Sequence, residues 1–277
     1  MAATRVETET KIVREQSVAW LTLDSDNGLH VIDTEAANAL VRSVEALAND
    51  ESIRALVVTG MGSRAFVGGA DIREMRELNQ ASAHTFISTL QRCCAVLHDF
   101  PVPVIARING LCLGAGLEIA ACCDLRIAVE TAQFAMPEVH VGIPSVIDAA
   151  RLPGLIGVGH TKDLVMTGRW IDGCEALSWG LVQRLASVGE LDAVLKECVD
   201  GVLAAGPRAS KIQKLLVNRW EQLSIDDAVA EGVDAFVQAY ATDEPRKYMD
   251  AFFAKARENA GDTITENENE NEDEEDE

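Results

Sequence analysis

Two glycine-rich turns hold the residues of this chain best suited to chemistry. The first lies in Ser63-Arg-Ala-Phe-Val-Gly-Gly-Ala-Asp-Ile-Arg-Glu-Met75, the second in Asn109-Gly-Leu-Cys-Leu-Gly-Ala-Gly-Leu-Glu118. In both, small residues stand where an apolar run gives way to a helical pattern. Without a bulky Cβ, main-chain N–H groups can face a ligand closely. Two such turns can direct donors at one oxygen and stabilise negative charge forming on it. The second turn ends on a carboxylate, Glu118, and another follows in Phe134-Ala-Met-Pro-Glu-Val139. Two N–H donors and two carboxylates suit chemistry next to a carbonyl.

Each acid also has a plainer reading. Glu118 opens an otherwise apolar helix, Leu117-Glu-Ile-Ala-Ala-Cys-Cys123, where it could simply complement the helix dipole. Glu138 follows Pro137 and could be a surface loop acid. His140 reads as a structural histidine and Asp148 as a helix-side acid.

The elements that must position these groups follow from hydrophobic pattern and turn residues. Val18–Leu23, Ile53–Thr59, Val104–Ile108 and Leu125–Ala128 read as strands. Thr34, as N-cap, opens a helix to about Asn49. A second helix runs from about Ala81 to Asp99, and Gly116–Cys123 reads as a buried one. Alternation of strands and helices predicts α/β layering with largely parallel strands. Beyond Leu185 the pattern changes to successive amphipathic helices at Glu190–Ala205, Arg208–Gln222, Asp226–Thr242 and Glu244–Asn259.

Composition narrows the class. The 277 residues are 48% hydrophobic and 25% charged, ample for a buried core. The net charge is −21, but ten acids and no Lys or Arg lie in 262–277, leaving −11 on the rest. That low-complexity tail predicts disorder. The acidic body and tail exclude nucleic acid as a partner. Seven cysteines, an odd number without C-x-x-C spacing, predict buried reduced thiols and no metal site. The first ten residues lack the apolar region of a secretory signal, and no apolar run reaches membrane-spanning length. A cytoplasmic protein without a membrane partner is expected.

Several segments, in order and spacing, resemble the crotonase superfamily, typified by enoyl-CoA hydratase. They are Ala65–Met75, Ile108–Glu118, Cys123–Ala128, Ala132–Glu138 and Thr167–Val182, and the similarity spans about 12–260. The resemblance implies an α/β fold, a spiral of ββα turns, with a helical C-terminal region that assembles trimers or pairs of trimers. The division it implies is a flexible N-terminus (1–11), a core (12–188), a helical region (189–260) and an acidic tail (261–277). It implies an acyl-CoA thioester as substrate, which brings its own coenzyme A, and no other cofactor. The oxyanion-hole donors fall at the N–H groups of Ala70 and Ala115. The hydratase branch, which adds water across the C2–C3 double bond of a 2-enoyl-CoA, has glutamate at both acidic positions. There Glu118 and Glu138 would hold and deprotonate the water, with Glu138 giving a proton to C2.

Substrate contacts carry over to Gly69, Ala70, Asp71, Ile72 and Gly114. Arg64, Arg73 and Lys255 are candidates for the nucleotide, with Arg257 beside them. Two departures stand out. Ser145-Val-Ile147 replaces a glycine-rich turn that helps many hydratases hold water, and Asp148 adds a carboxylate nearby. Asp24–His30 carries no Lys or Arg where many relatives have a basic residue. An isomerase, decarboxylase or thioester hydrolase on the same fold is an alternative, as is a CoA-binding scaffold without activity.

Overall fold

The computed structural model describes residues 3–254 and 257. It divides into two compact units between Ala205 and Gly206.

Strands that are apolar on both faces build the centre of the first unit. A six-stranded sheet runs in the order β1 (Arg5–Val13), β2 (Gln16–Asp24), β3 (Ile53–Gly60), β5 (Val104–Ile108), β7 (Leu125–Val129) and β10 (Arg184–Ala186). From β2 onward all its pairs are parallel. A four-stranded sheet joins β4 (Ala65–Val67), β6 (Leu111–Leu113), β8 (Gln133–Ala135) and β9 (Trp170–Asp172). Successive strands alternate between the sheets and then enter helix. β3 and β4 lead to α2 (Ile72–Arg76) and α3 (Gln80–His98); β5 and β6 lead to α4 (Ala115–Cys122). β7 and β8 lead through two 3-10 turns, Pro137–Val141 and Ile147–Arg151, to α5 (Leu152–Thr167). This is the expected spiral of ββα turns.

Helix α1 (Thr34–Ala48) begins one residue earlier than expected at its cap. Asp33 Oδ1 accepts from the Ala36 N–H at 2.8 Å, while the Thr34 hydroxyl donates to Glu74. A carboxylate at the N-cap satisfies an orphan donor and faces the positive end of the dipole. Helix α3 starts with a capping box between Asn79 and Ser82 and buries Phe86, Leu90, Cys93, Cys94 and Leu97 along one stripe. Every residue of α4 is buried. Six of the seven free cysteines are buried and Cys174 is exposed.

Two expected boundaries are corrected. Residues 1–11 were expected to be flexible, yet Arg5–Val13 pairs with β2 from Arg5↔Asp24 to Val13↔Gln16. Main-chain bonding holds this mostly exposed strand, which is why a polar sequence conceals it. Its two-residue turn puts Arg14 and Glu15 at φ 47° and 62°, the hand that matches strand twist. The core also extends past 188 to Ala205. Helix α7 (Leu191–Ala204) buries Leu191, Leu195, Cys198, Val199 and Leu203 and packs on β3, β7 and β10. The Arg54 guanidinium adds a bond to the Ala205 carbonyl at 2.7 Å. A short helix, α6 (Gly173–Ser178), precedes β10.

The second unit contains α8 (Pro207–Trp220), α9 (Ile225–Ala239) and helical residues 244–254. Glu244 accepts from the Arg208 and Ala209 N–H groups at 3.0 and 2.8 Å, capping the start of α8. Arg219 pairs with Glu231 at 2.6 Å across α8 and α9. Ile225, Val229, Val233, Phe236 and Val237 are exposed along α9. The remainder of the Glu244–Asn259 helix and the acidic tail lie outside the described residues, except for Arg257.

Candidate active site

The first turn leaves β4 at Val67 and reaches α2 through Gly68-Gly69-Ala70-Asp71. A parallel bridge fastens it: the Ile32 N–H donates to the Gly69 carbonyl, and the Asp71 N–H to the Ile32 carbonyl, both at 2.9 Å. The Ala70 N–H takes no part in that bridge. Gly69 has φ 108°, which a side chain rarely adopts, and a Cβ there would lie 3.3 Å from the Leu113 carbonyl.

The second turn leaves β6 at Leu113 and opens α4. The Gly114 N–H donates to the Ala135 carbonyl at 2.9 Å, and the Gly114 carbonyl accepts from Leu117 and Glu118. Ala115 and Gly116 therefore start the helix with N–H groups outside its ladder, and no side chain caps them. Sterics seat this helix: a Cβ on Gly116 would lie 2.3 Å from the Val67 carbonyl. Val67 directly precedes the first turn, so the same contact draws the Ala70 and Ala115 turns together.

The carboxylates enter from two elements. Glu118, in the first turn of α4, is only 5% exposed. Burial foremost, then the Glu138 charge, pushes its pKa up to about 8; Asp148 adds to the shift, while the Ala149 and Val146 N–H groups oppose it. Glu118 thus carries its proton at neutral pH. Glu138 lies half-buried in the 3-10 turn after Pro137. The Ser145 hydroxyl donates to Glu138 Oε2 at 2.8 Å. Its other oxygen, Oε1, would sit 2.4 Å from a Cβ on Gly114. The site therefore brings together the Glu118 and Glu138 carboxyl groups and the start of α4.

Other expected residues fall around this centre. Asp71 caps α2 and pairs with Arg73 at 2.7 Å, which holds its carboxyl below the usual range. Ile72 is 59% exposed beside it. A cavity of about 90 Å³, lined by Asn27, Asp33, Asp71 and Arg73 among others, borders the first turn. Exposed Arg64 donates to the Asn27 carbonyl at 2.6 Å. Lys255 lies outside the described residues. Asp148 pairs with Arg151 at 2.8 Å, as a helix-side acid would, although its charge reaches Glu118. The exposed His140 ring lies against Gly168, where a Cβ would be 2.7 Å away.

Sequence reasoning missed two features. His30 is fully buried at φ 52°, held by Ser25 at 3.1 Å and by the Met61 carbonyl at 2.9 Å. Burial lowers its pKa, so it supplies no cation in the stretch that lacks Lys and Arg. Ser145 was noted only as a glycine replacement, yet its hydroxyl holds Glu138. A hydroxyl residue following the Glu138 turn through Gly142-Ile-Pro144 was the available signal. Among the described residues, Cys94, Cys122 and Asp148 form a group with possible metal-ligating atoms within 4.8 Å. The Cys122 hydrogen bond and burial raise the Cys94 pKa well above the usual value, and Asp148 is engaged by Arg151.

Comparison with known proteins agrees with this architecture. The family described as enoyl-CoA hydratase/isomerase matches residues 13–262. The short-chain-enoyl-CoA hydratase of Clostridium acetobutylicum is 35% identical over 245 residues, covering 88% of this chain and 94% of that protein. The crotonyl-CoA hydratase of Syntrophomonas wolfei is 34% identical over 247 residues, covering 89% and 95%. A crystal structure of enoyl-CoA hydratase from Bacillus anthracis superposes with a TM-score of 0.84 at 27% identity, covering 91% of this chain and 96% of that one. The chain belongs to the crotonase (enoyl-CoA hydratase/isomerase) superfamily.

Proposed function

We propose that this enzyme hydrates 2-enoyl-CoA thioesters, adding water syn across the C2–C3 double bond. The observation that carries the proposal is the carboxyl pair at the α4 turn: Glu118 is protonated by burial, and Glu138 lies against Gly114, next to the Ala115 donor. The Ala70 and Ala115 N–H groups are assigned to the thioester oxygen. Fixed donors there favour the enolate over the neutral carbonyl, and losing one costs roughly 10²–10³ in rate in other enzymes. The oxygen of water bonds to C3 while one carboxyl takes a water proton and the other gives a proton to C2, so the pair ends with the proton count it began with. By analogy with the hydratase branch the C2 donation is assigned to Glu138, while the raised pKa of Glu118 favours its protonated form at rest. The two proton transfers are therefore assigned to the pair together.

The CoA portion is assigned to the main chain around Gly69, Ala70, Asp71, Ile72 and Gly114, with Arg64, Arg73 and Lys255 as contacts for its phosphates. The exposed apolar side of α9 supports assembly into trimers or pairs of trimers, since an exposed apolar face of this kind gains from burial. Purified protein incubated with crotonyl-CoA should bleach the conjugated-thioester absorbance and form 3-hydroxybutyryl-CoA. Conversion of a 3-enoyl-CoA to the 2-enoyl isomer without hydration would favour the isomerase reading instead.

A further inference from the structure

The chain between Glu138 and Asp148 turns back on the carboxyl pair it follows. Gly142, at φ 82°, ends the first 3-10 turn, and the Ile143 N–H donates to the Glu138 carbonyl at 3.2 Å. From there the loop reaches both acids. Ser145 Oγ donates to Glu138 Oε2 at 2.8 Å, and the Val146 and Ala149 N–H groups act on Glu118. Ile147 holds φ 39°, an unfavourable conformation for a β-branched residue. Such strain persists where surrounding contacts over-determine it. Here Ile147 packs against the core, Ala149 N–H bonds the Val146 carbonyl at 2.9 Å, and Asp148 pairs with Arg151.

The two oxygens of Glu138 are thereby made unequal. Oε2 is occupied by the Ser145 hydroxyl, and Oε1 faces the backbone of Gly114, where no side chain intervenes. A glutamate has three side-chain torsions to fix, and an unrestrained carboxylate would spend much of its time away from that turn. A glycine at 145 would offer no hydroxyl.

We propose that Ser145 is the positioning residue for Glu138: its hydroxyl holds Oε2 and so presents Oε1, at Gly114, as the oxygen that exchanges a proton. Only the proton's destination rests on the hydratase reading; the restraint on Glu138 does not.

The test compares the wild type with Ser145→Ala and Ser145→Thr, by crotonyl-CoA kinetics and by crystal structures of all three. Loss of the Ser145 hydrogen bond to Glu138 should lower kcat about 10- to 100-fold in the Ala variant. KM should stay within about twofold, because the lost bond is not to substrate. The Thr variant, which keeps the hydroxyl, should recover most of kcat. In the Ala crystal, Glu138 Oε1 should leave its place against Gly114. An unmoved Glu138 with unchanged kcat would overturn the proposal, as would a raised KM with kcat intact, which would make Ser145 a substrate contact. If the wild type does not hydrate crotonyl-CoA, the hydratase reading fails. The Glu138 position in the Ala crystal would still decide the role of Ser145.

Discussion

The Glu138 carboxylate occupies the space that a side chain on residue 114 would need. A Cβ built on Gly114 would stand 2.4 Å from Glu138 Oε1, and Gly114 itself has φ 50°. This one relationship ties the candidate acid to the turn that carries the candidate Ala115 donor. Gly114→Ala would strain the backbone and push the carboxylate away together. Turnover should fall by roughly 10² or more, the scale of a lost acid–base group. The melting temperature should drop by only a few degrees, as expected for a loss of about 1–2 kcal/mol. Kinetics and calorimetry on the same sample check this.

Glu118→Gln and Glu138→Gln keep side-chain shape and remove a proton-transfer group. Each should lower kcat by roughly 10²–10⁴. The double variant should lose less than the product of the two, because both groups act on one water. Steady-state rates with crotonyl-CoA for the three variants give the answer. Near-full activity in Glu118→Gln would favour the isomerase reading.

The raised pKa of Glu118, about 8, also sets a stability profile. The folded protein holds this proton more tightly than the unfolded chain, whose glutamates titrate near about 4.3. Stability from this group is complete below that value and is lost as pH rises through about 8. Glu118→Gln should therefore melt higher than the wild type at alkaline pH, with the gap closing toward about pH 4. A pair of melting curves across that range measures it. In kinetics, wild-type kcat/KM should decline above the same pH as the free enzyme loses the proton from the pair.

The apolar side of α9 gives a fourth test. Val233→Asp with Phe236→Asp places two charges on a surface now 62% and 65% exposed within the single chain. Sedimentation should shift from an assembly to a single chain. An unchanged sedimentation coefficient in the doubly charged variant would remove α9 from the interface.

Much of this architecture was legible because its strands are short, apolar and bounded by glycine or proline. Val104–Ile108 lies between Pro103 and Asn109-Gly110 and matched its observed limits. The glycine turns were legible for a related reason, since Gly69, Gly114 and Gly116 each answer a positive φ or a backbone contact. What escaped depends on main-chain partners far along the chain. Residues 1–11 read as a flexible N-terminus until β2 supplies the hydrogen bonds of Arg5–Val13. Helix α7 reads as the start of the helical region, but its apolar stripe belongs to the sheet. Ser145 was visible as a departure, while its bond to Glu138 requires the loop to fold back, which spacing alone does not reveal.

The central claim, that the Glu118–Glu138 pair adds water to a 2-enoyl-CoA held at the Ala70 and Ala115 turns, meets its most direct test in heavy water. Crotonyl-CoA is incubated with the enzyme in D₂O, and the product is read by proton NMR. A 3-hydroxybutyryl-CoA with one deuterium at C2, on the same face as the new C3 oxygen, is the expected result, and its formation should collapse in the double Glu→Gln variant. No hydrated product, label on both faces, or equal formation by the double variant would contradict the account.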